Sequence, residues 1–268
     1  MIEEFTYLSL GAGVQSSALL VMSALGLYDC PRADLAVFAD VGDEPQWVYD
    51  YLRDHLVPFG DKHGIPVETT QYGHLSKDYL SADGRSFASP PLFLVGPNGE
   101  HGMLRRQCTE KYKIRPIHRH IRQHLGYKPR QRVKEKVLSL HGISVDEAHR
   151  MRTSPTKWVQ LGYPLVDANL NRSQCEAIVV GAGLPKPERS ACVFCPFHSD
   201  VYWNELKTQH PNEFGRAIEF DKAIRHVKGR RGIGYLHASR KPLAEVDFKP
   251  NRDQVDMFGN DCSGVCGV

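Results

Sequence analysis

The stretch FTYLSLGAGVQSSALLVMSALGL, residues 5–27, constrains the fold more than any other. An apolar strand runs into a glycine turn, and the turn passes directly into an apolar helix. That order aims unbonded backbone N–H groups and the positive end of a helix at whatever lies beyond the strand, which suits an anion such as phosphate. Gly11 and Gly13 permit close approach or positive φ, and Ser16 and Ser17 add hydroxyl donors. Ser9, Ala12 and Gln15 complete the turn. The segment lacks the lysine and spacing of a Walker A loop. It is not a dinucleotide G-x-G-x-x-G either, since Ser16 stands three residues after Gly13.

The next segments continue the alternation. DLAVFAD (34–40) reads as a strand that is apolar on both faces, as in a covered parallel sheet. In EPQWVYDYLRDHLVPFGDKHG (44–64), Trp47, Tyr51, Leu52 and Leu56 recur at helical spacing, and IPVETTQ (65–71) reads as a third strand. The order β-α-β-α-β predicts an α/β fold: an open, mainly parallel twisted sheet with helices on both faces. Further on, SFASPPLFLVGPNGEHG (86–102) reads as a loop across the mouth of a site. TEKYKIRPIHRHIRQHLG (109–126) reads as a basic helix, VLSLHGIS (137–144) as a strand and VDEAHRMR (145–152) as a helix. Asn171 precedes another helix, which ends at Gly181 or Gly183. Residues 1–231 are expected to form the catalytic domain, and 232–268 a C-terminal tail bearing Cys262 and Cys266.

Composition narrows the class. Of 268 residues, 41% are hydrophobic and 24% charged, which is ordinary globular usage. No apolar run reaches the roughly 20 residues that span a bilayer, and MIEEFTYLSL lacks the basic start of a signal peptide. The expectation is a soluble cytoplasmic protein without a membrane partner. Its seven cysteines (30, 108, 175, 192, 195, 262 and 266) form an odd set with two close pairs, which suits metal ligation or thiol chemistry better than a disulfide framework. The net charge is only +3, yet residues 105–136 hold seven arginines and five lysines against Glu110 and Glu135. Such a stretch suits a phosphate-rich partner, a nucleotide, tRNA or DNA, or else forms a solvated surface.

Four further motifs carry chemistry. VFADVGDEP (37–45) places Asp40 and Glu44 at the carboxyl end of a strand, the edge where open parallel sheets bind ligands. Asp43 serves equally as an N-cap, with Glu44 favouring the helix dipole. In LRRQCTEKYKIRPI (104–117), Cys108 stands among Arg105, Arg106, Lys111 and Lys113, a positive field that favours thiolate and suits sulfate or phosphate. In SLHGISVDEAHRMR (139–152), an i to i+4 pair between Asp146 and Arg150 is a sufficient structural account. In ERSACVFCPFHSDVYW (188–203), Cys192-x-x-Cys195 lets two thiolates meet one metal, with His198 more in keeping with a loop histidine than a ligand. Cys30 and Cys175 fall in or beside helices and read as packing.

In this order, GAGVQS, VFADVGDEP, the Cys108 segment, the Asp146–Arg150 segment and the CxxC with its tail resemble the phosphoadenosine phosphosulfate (PAPS) reductase family of the PP-loop, adenine nucleotide α-hydrolase-like superfamily. The resemblance implies a nucleotide held by Ser9, Gly11, Ala12, Gly13, Gln15, Ser16, Ser17, Asp40, Glu44, Arg106, Asp146 and Arg150. Arg105 and Lys113 would act near the reaction. Cys108, Cys192, Cys195 and Cys266 would hold a [4Fe–4S] cluster or, in the alternative, zinc, and Cys262 or Cys266 would act as the nucleophile. Gln15 stands where ATP-pyrophosphatase members carry an aspartate, so a magnesium ion finds less charge there. The tail lacks the Glu-Cys-Gly-Leu-His context of sulfonucleotide reductases, and Cys108 lacks an adjacent cysteine. Three functions follow from the resemblance and the composition. One is sulfur transfer to tRNA or DNA using ATP and an unidentified sulfur donor. Another is reduction of PAPS or adenylylsulfate, and the third is a non-catalytic zinc-bearing nucleic-acid module. A homo-oligomer is compatible with each.

Overall fold

A computed structural model of the chain describes residues 5–81, 89–227 and 231–248. Its centre is β1 (Phe5–Leu10), followed by α1 (Val14–Leu25), β2 (Leu35–Asp40), α2 (Gln46–Tyr51), α3 (Val57–His63) and β3 (Val67–Gln71). Next come α4 (Leu75–Ser81), β4 (Phe93–Val95), β5 (His101–Met103), α5 (Arg115–His124), β6 (Val137–His141) and β7 (Val159–Gly162). The chain then forms α6 (Pro164–Asp167), α7 (Arg172–Gly181), α8 (Asp200–Gln209), α9 (Pro211–Ala223) and β8 (Ile233–Tyr235).

Five strands form a wholly parallel sheet in the order β3-β2-β1-β6-β7. Strand alternation divides the core. Leu8, Leu10, Ala36 and Phe38 face the side covered by α1, α3 and α7, while Tyr7, Leu35, Val37 and Ala39 meet Ile117 and Ile121 of α5 on the other. Both faces are therefore covered, as the apolar strands require. Cys30 and Cys175 are buried in the first of these cores, as expected.

Two helices carry a π-helical turn, at Leu52–Leu56 and at Thr109–Ile114. Each ends two residues before a proline, Pro58 and Pro116. Proline lacks an N–H, and its ring crowds the carbonyl four residues back; a wider turn accommodates both. The second turn sets Lys113 inside the protein.

A second core lies beneath α8 and α9. There Trp203, Phe214, Phe220, Leu236, Leu243 and Phe248 pack together, and β8 pairs with β4 in a small antiparallel sheet with β5. One expectation changes here. The stretch 86–102 contributes two strands where a loop was expected, because Phe93, Leu94 and Val95 alternate with hydrogen bonds to both neighbours. Residues expected in the tail also enter this core, where Leu236, Leu243, Val246 and Phe248 are buried. Among the described residues, no helix is long and apolar enough to cross a membrane.

Candidate active site

The strand order reverses between β1 and β6, and ligands of such sheets bind at the carboxyl ends of strands at this point. The glycine turn lies there. Ala12 adopts φ 57°, a left-handed conformation that a non-glycine residue holds only when its surroundings fix it. Ser16 Oγ accepts from the N–H groups of Gly11 and Gly13, each at 3.2 Å, and donates to the Gly13 carbonyl at 3.2 Å. Ser190 Oγ donates to the Gly11 carbonyl, tying the turn to the CxxC segment. The amides proposed for an anion thus converge around one hydroxyl, while Ser17 is fully buried one position further on.

The neighbouring strand end completes this corner. A Cβ on Gly142 would stand 2.7 Å from Ser16 N and 2.9 Å from Gln15 C, so only glycine lets β6 pass this close to the turn. Gln15 is 1% exposed, and its Oε1 accepts from Arg172 Nη1 at 2.8 Å. Arg172 N in turn donates to Asp146 Oδ2 at 2.7 Å. The segment carrying Asp146 is a 3₁₀ turn, Val145–Arg150, in which residues three apart align. Arg150 therefore pairs with Glu147, at 2.6 Å, and the expected pair with Asp146 does not form among the contacts described.

The acidic turn after β2 is tightly held. Asp40 Oδ1 accepts from Gly42 N at 2.7 Å and from the Tyr49 hydroxyl at 2.8 Å. Asp43 accepts from Ser76 N at 2.8 Å and Ser76 Oγ at 2.7 Å, capping α4 rather than its own helix, and burial pushes its carboxyl up. Glu44 Oε1 lies 3.2 Å from Lys113 Nζ and 3.9 Å from Cys192 Sγ. Both members of the Lys113–Glu44 pair are more than nine-tenths buried.

Cys108, Cys192 and Cys195 line one small cavity with Arg106, Thr109 and Lys113, under a roof of Val41, Leu75 and prolines. Thr109 Oγ1 is buried there without a hydrogen-bond partner. Three thiols and two cations around one cavity fit, as a donor set, a group that binds anionic sulfur. Among the described residues no three His, Cys, Asp or Glu side chains are drawn together as a metal-binding group. His198 lies in the loop before α8 but is buried there rather than at the surface, with its Nε2 2.9 Å from the Cys192 carbonyl, bracing the CxxC turn. Arg105 is exposed, and Arg106 lies over the Phe197 ring at 5.3 Å. Cys262 and Cys266 lie outside the described residues.

Lys113 joins the two regions. Besides the cysteine cavity it borders a smaller one formed by Ser9, Leu10, Gly11, Phe38, Ala39 and Ile117 at the ends of β1 and β2. Removing one charge from a buried pair strands the other, at a cost of about 3–5 kcal/mol. Lys113→Met is therefore expected to lower the urea midpoint sharply, and Glu44→Gln added to it to recover much of the loss. Equal stability of Lys113→Met and the parent chain would count against the pair.

Sequence reasoning missed Gly142, Arg172, Ser190 and His141. The glycine directly after a strand in SLHGIS is a signal for the first; nothing local marks Arg172 or Ser190. His141 ends β6, with its Nε2 2.9 Å from Ser139 Oγ and its Nδ1 buried without a partner. Burial lowers its pKa to about 3, that of His118 to about 4, and that of His198 well below the usual value. These imidazoles are neutral when folded and take protons only on unfolding, so the stability they confer is full above about pH 6.5 and lost as pH falls below it. Urea midpoints measured from pH 7 to pH 5 should decline, and His141→Gln should flatten part of that slope.

No protein-family model and no curated protein matches the sequence. Among solved structures, the chain is similar to phosphoadenylyl-sulfate (PAPS) reductase from Candida auris in a phosphate complex. Identity is 13% and the TM-score 0.42, with 72% of this chain and 81% of that one covered. It is also similar to the U34-tRNA thiolase NcsA from Methanococcus maripaludis with its [4Fe–4S] cluster. There identity is 13% and the TM-score 0.43, with 86% and 76% covered.

Proposed function

We propose that the protein is an adenine-nucleotide-dependent sulfur transfer enzyme of the ATP-pyrophosphatase type, assisted by a [4Fe–4S] cluster and acting on a nucleic acid, tRNA or DNA. The observation that carries this reading is the place of Lys113, whose side chain borders both the cavity at the glycine turn and the cavity of three cysteines. A nucleotide at the turn and a sulfur-handling group at the cysteines would then lie on either side of one cation. In this reading the turn amides, freed from Ser16, bind the anionic part of the nucleotide. Lys113 and Arg106 hold charge that develops between the two regions, and Arg105 approaches from the surface. Asp40 and Asp146 keep the turns on either side in place, through the Gly42 and Arg172 amides.

Cys108, Cys192 and Cys195 would hold the cluster, with Cys266 as fourth ligand, and such a cluster supplies an iron site at which sulfide can be carried. The buried, apolar roof would keep water from that site. Zinc on the same thiols is the alternative, and would make the segment a structural clip.

One observation favours the second reading, a PAPS or adenylylsulfate reductase in which Cys262 or Cys266 attacks sulfur. Gln15 is engaged by Arg172, so the position offers a neutral amide already paired rather than a carboxylate for magnesium. The two enzymes separate in one experiment. Protein purified without oxygen is analysed for visible absorbance, iron, sulfide and zinc, and then given ATP with tRNA or DNA, or PAPS or adenylylsulfate. Iron with matching sulfide and thiolated nucleic acid supports the first reading; sulfite release supports the second. A colourless, zinc-loaded protein inactive with every nucleotide overturns both, and leaves the non-catalytic module.

A further inference from the structure

Strand β7 is an edge of the parallel sheet, and beside it runs a groove of about 550 Å³ lined by Lys136, Arg152, Thr153, Lys157, Trp158 and Gln160, with Met151 and Tyr163. It shares no residue with the cysteine cavity or with the cavity at the glycine turn. Its three cations come from three places in the chain: the start of β6, the end of the 3₁₀ turn and the approach to β7. None forms an ion pair with a carboxylate among the described residues. The Trp158 carbonyl accepts from Val137 N at 2.8 Å, and the indole lies 5.2 Å from the His118 ring, so this partly buried aromatic is held against α5. The chain entering the groove carries Lys128, Arg130, Arg132, Lys134 and Lys136, all exposed, so the positive surface continues well beyond it.

We propose that this groove holds a single-stranded segment of RNA, with phosphates along Lys136, Arg152 and Lys157 and an unstacked base on Trp158. This rests on the nucleic-acid reading above and gives it a place on the molecule. Three cations lining one groove suit a phosphodiester chain, whose binding releases counterions. A partly exposed, fixed indole among them offers a stacking platform for any base, which an acidic peptide cannot use equally well. The exposed Thr153 and Gln160 side chains on the rim can donate to and accept from a ribose 2′-hydroxyl, the group that distinguishes RNA from DNA.

The test is fluorescence anisotropy with a short, unstructured, end-labelled RNA over a series of salt concentrations, using the full chain. Arg152→Ala and Lys157→Ala should each lower the slope of log K against log salt by about 1. Trp158→Ala should weaken binding roughly tenfold while leaving the slope unchanged. DNA of the same sequence should bind several-fold more weakly. Thermal melting and metal content of the variants, compared with the parent, establish that the fold and the cysteine cavity are intact. Parental affinity and slope in all three variants would overturn the groove while leaving the nucleic-acid reading standing. Failure of the parent chain to bind RNA or DNA would remove that reading too. Equal binding of DNA would overturn the assignment to RNA. Displacement by polyglutamate that depends on the same three side chains would reassign the groove to an acidic protein.

Discussion

Replacing Cys108, Cys192 or Cys195 singly by alanine is expected to abolish most of the iron and sulfide that anaerobically purified protein retains, while circular dichroism and thermal melting change little. The three thiols border one cavity, so loss of any one removes a donor from the same site. None is fully buried, so truncation removes little packing. Cys30→Ala and Cys175→Ala should do the reverse. Both are buried in the main core, and burial raises the Cys30 thiol to about 12, so these substitutions should cost stability but no iron. Iron retained in all three cavity variants would dissolve the proposed site. Serine in place of Cys192 is a useful second variant, since it preserves volume and leaves only the sulfur to account for a loss.

Gly142→Ala should damage both the fold and the glycine turn, because its methyl has no free space to enter. The added carbon meets backbone at 2.7 to 2.9 Å, on Ser16 N, Gln15 C and Ser16 Cα, and backbone at the start of a buried helix cannot step aside as a side-chain tip can. Either β6 or the glycine turn must shift. A loss of about 1–3 kcal/mol in stability is expected from overpacking, together with at least a tenfold loss of nucleotide affinity by calorimetry. Gly181→Ala is the internal comparison. It lies in α7 with nothing within 4 Å of its new carbon, and should stabilise the helix by up to about 1 kcal/mol. Undiminished nucleotide binding in Gly142→Ala would show that the ligand does not use this corner.

What the sequence disclosed, and what it did not, follows from the range of the interactions. The glycine turn, the parallel strands and the Asn171-capped α7 rest on local signals: apolar period, turn residues and a capping side chain hydrogen-bonded to Gln174 N. Their order was enough to predict a sheet covered on both faces. The pair formed by Arg172 and Gln15 spans 157 positions, and the bond from Ser190 to Gly11 spans 179, so neither leaves a trace in any short window. The 3₁₀ turn at 145–150 was misread because an acid and an arginine four apart and an acid and an arginine three apart both occur in VDEAHR. Only the backbone decides which pair is made. Asp43 was misassigned for a related reason, since its capping partner is a helix that begins after another strand. The shared cavity of Cys108 with the CxxC was legible only through resemblance, because 84 positions separate Cys108 from Cys192.

The π-helical turn at Thr109–Ile114 has a consequence for how this protein can change. Its hydrogen bonds close over five residues rather than four, so it holds slack that an α-helix does not. Deleting one residue from it lets the segment close as the commoner helix while the elements on either side keep nearly the same mutual rotation, because the wide turn spreads about one α-helical turn over one extra residue. Cys108 and Lys113 stand at the two ends of that slack. Their alignment can therefore survive the loss of one residue from this turn, whereas the same deletion in an ordinary α-helix would swing one of them about 100° away from the other.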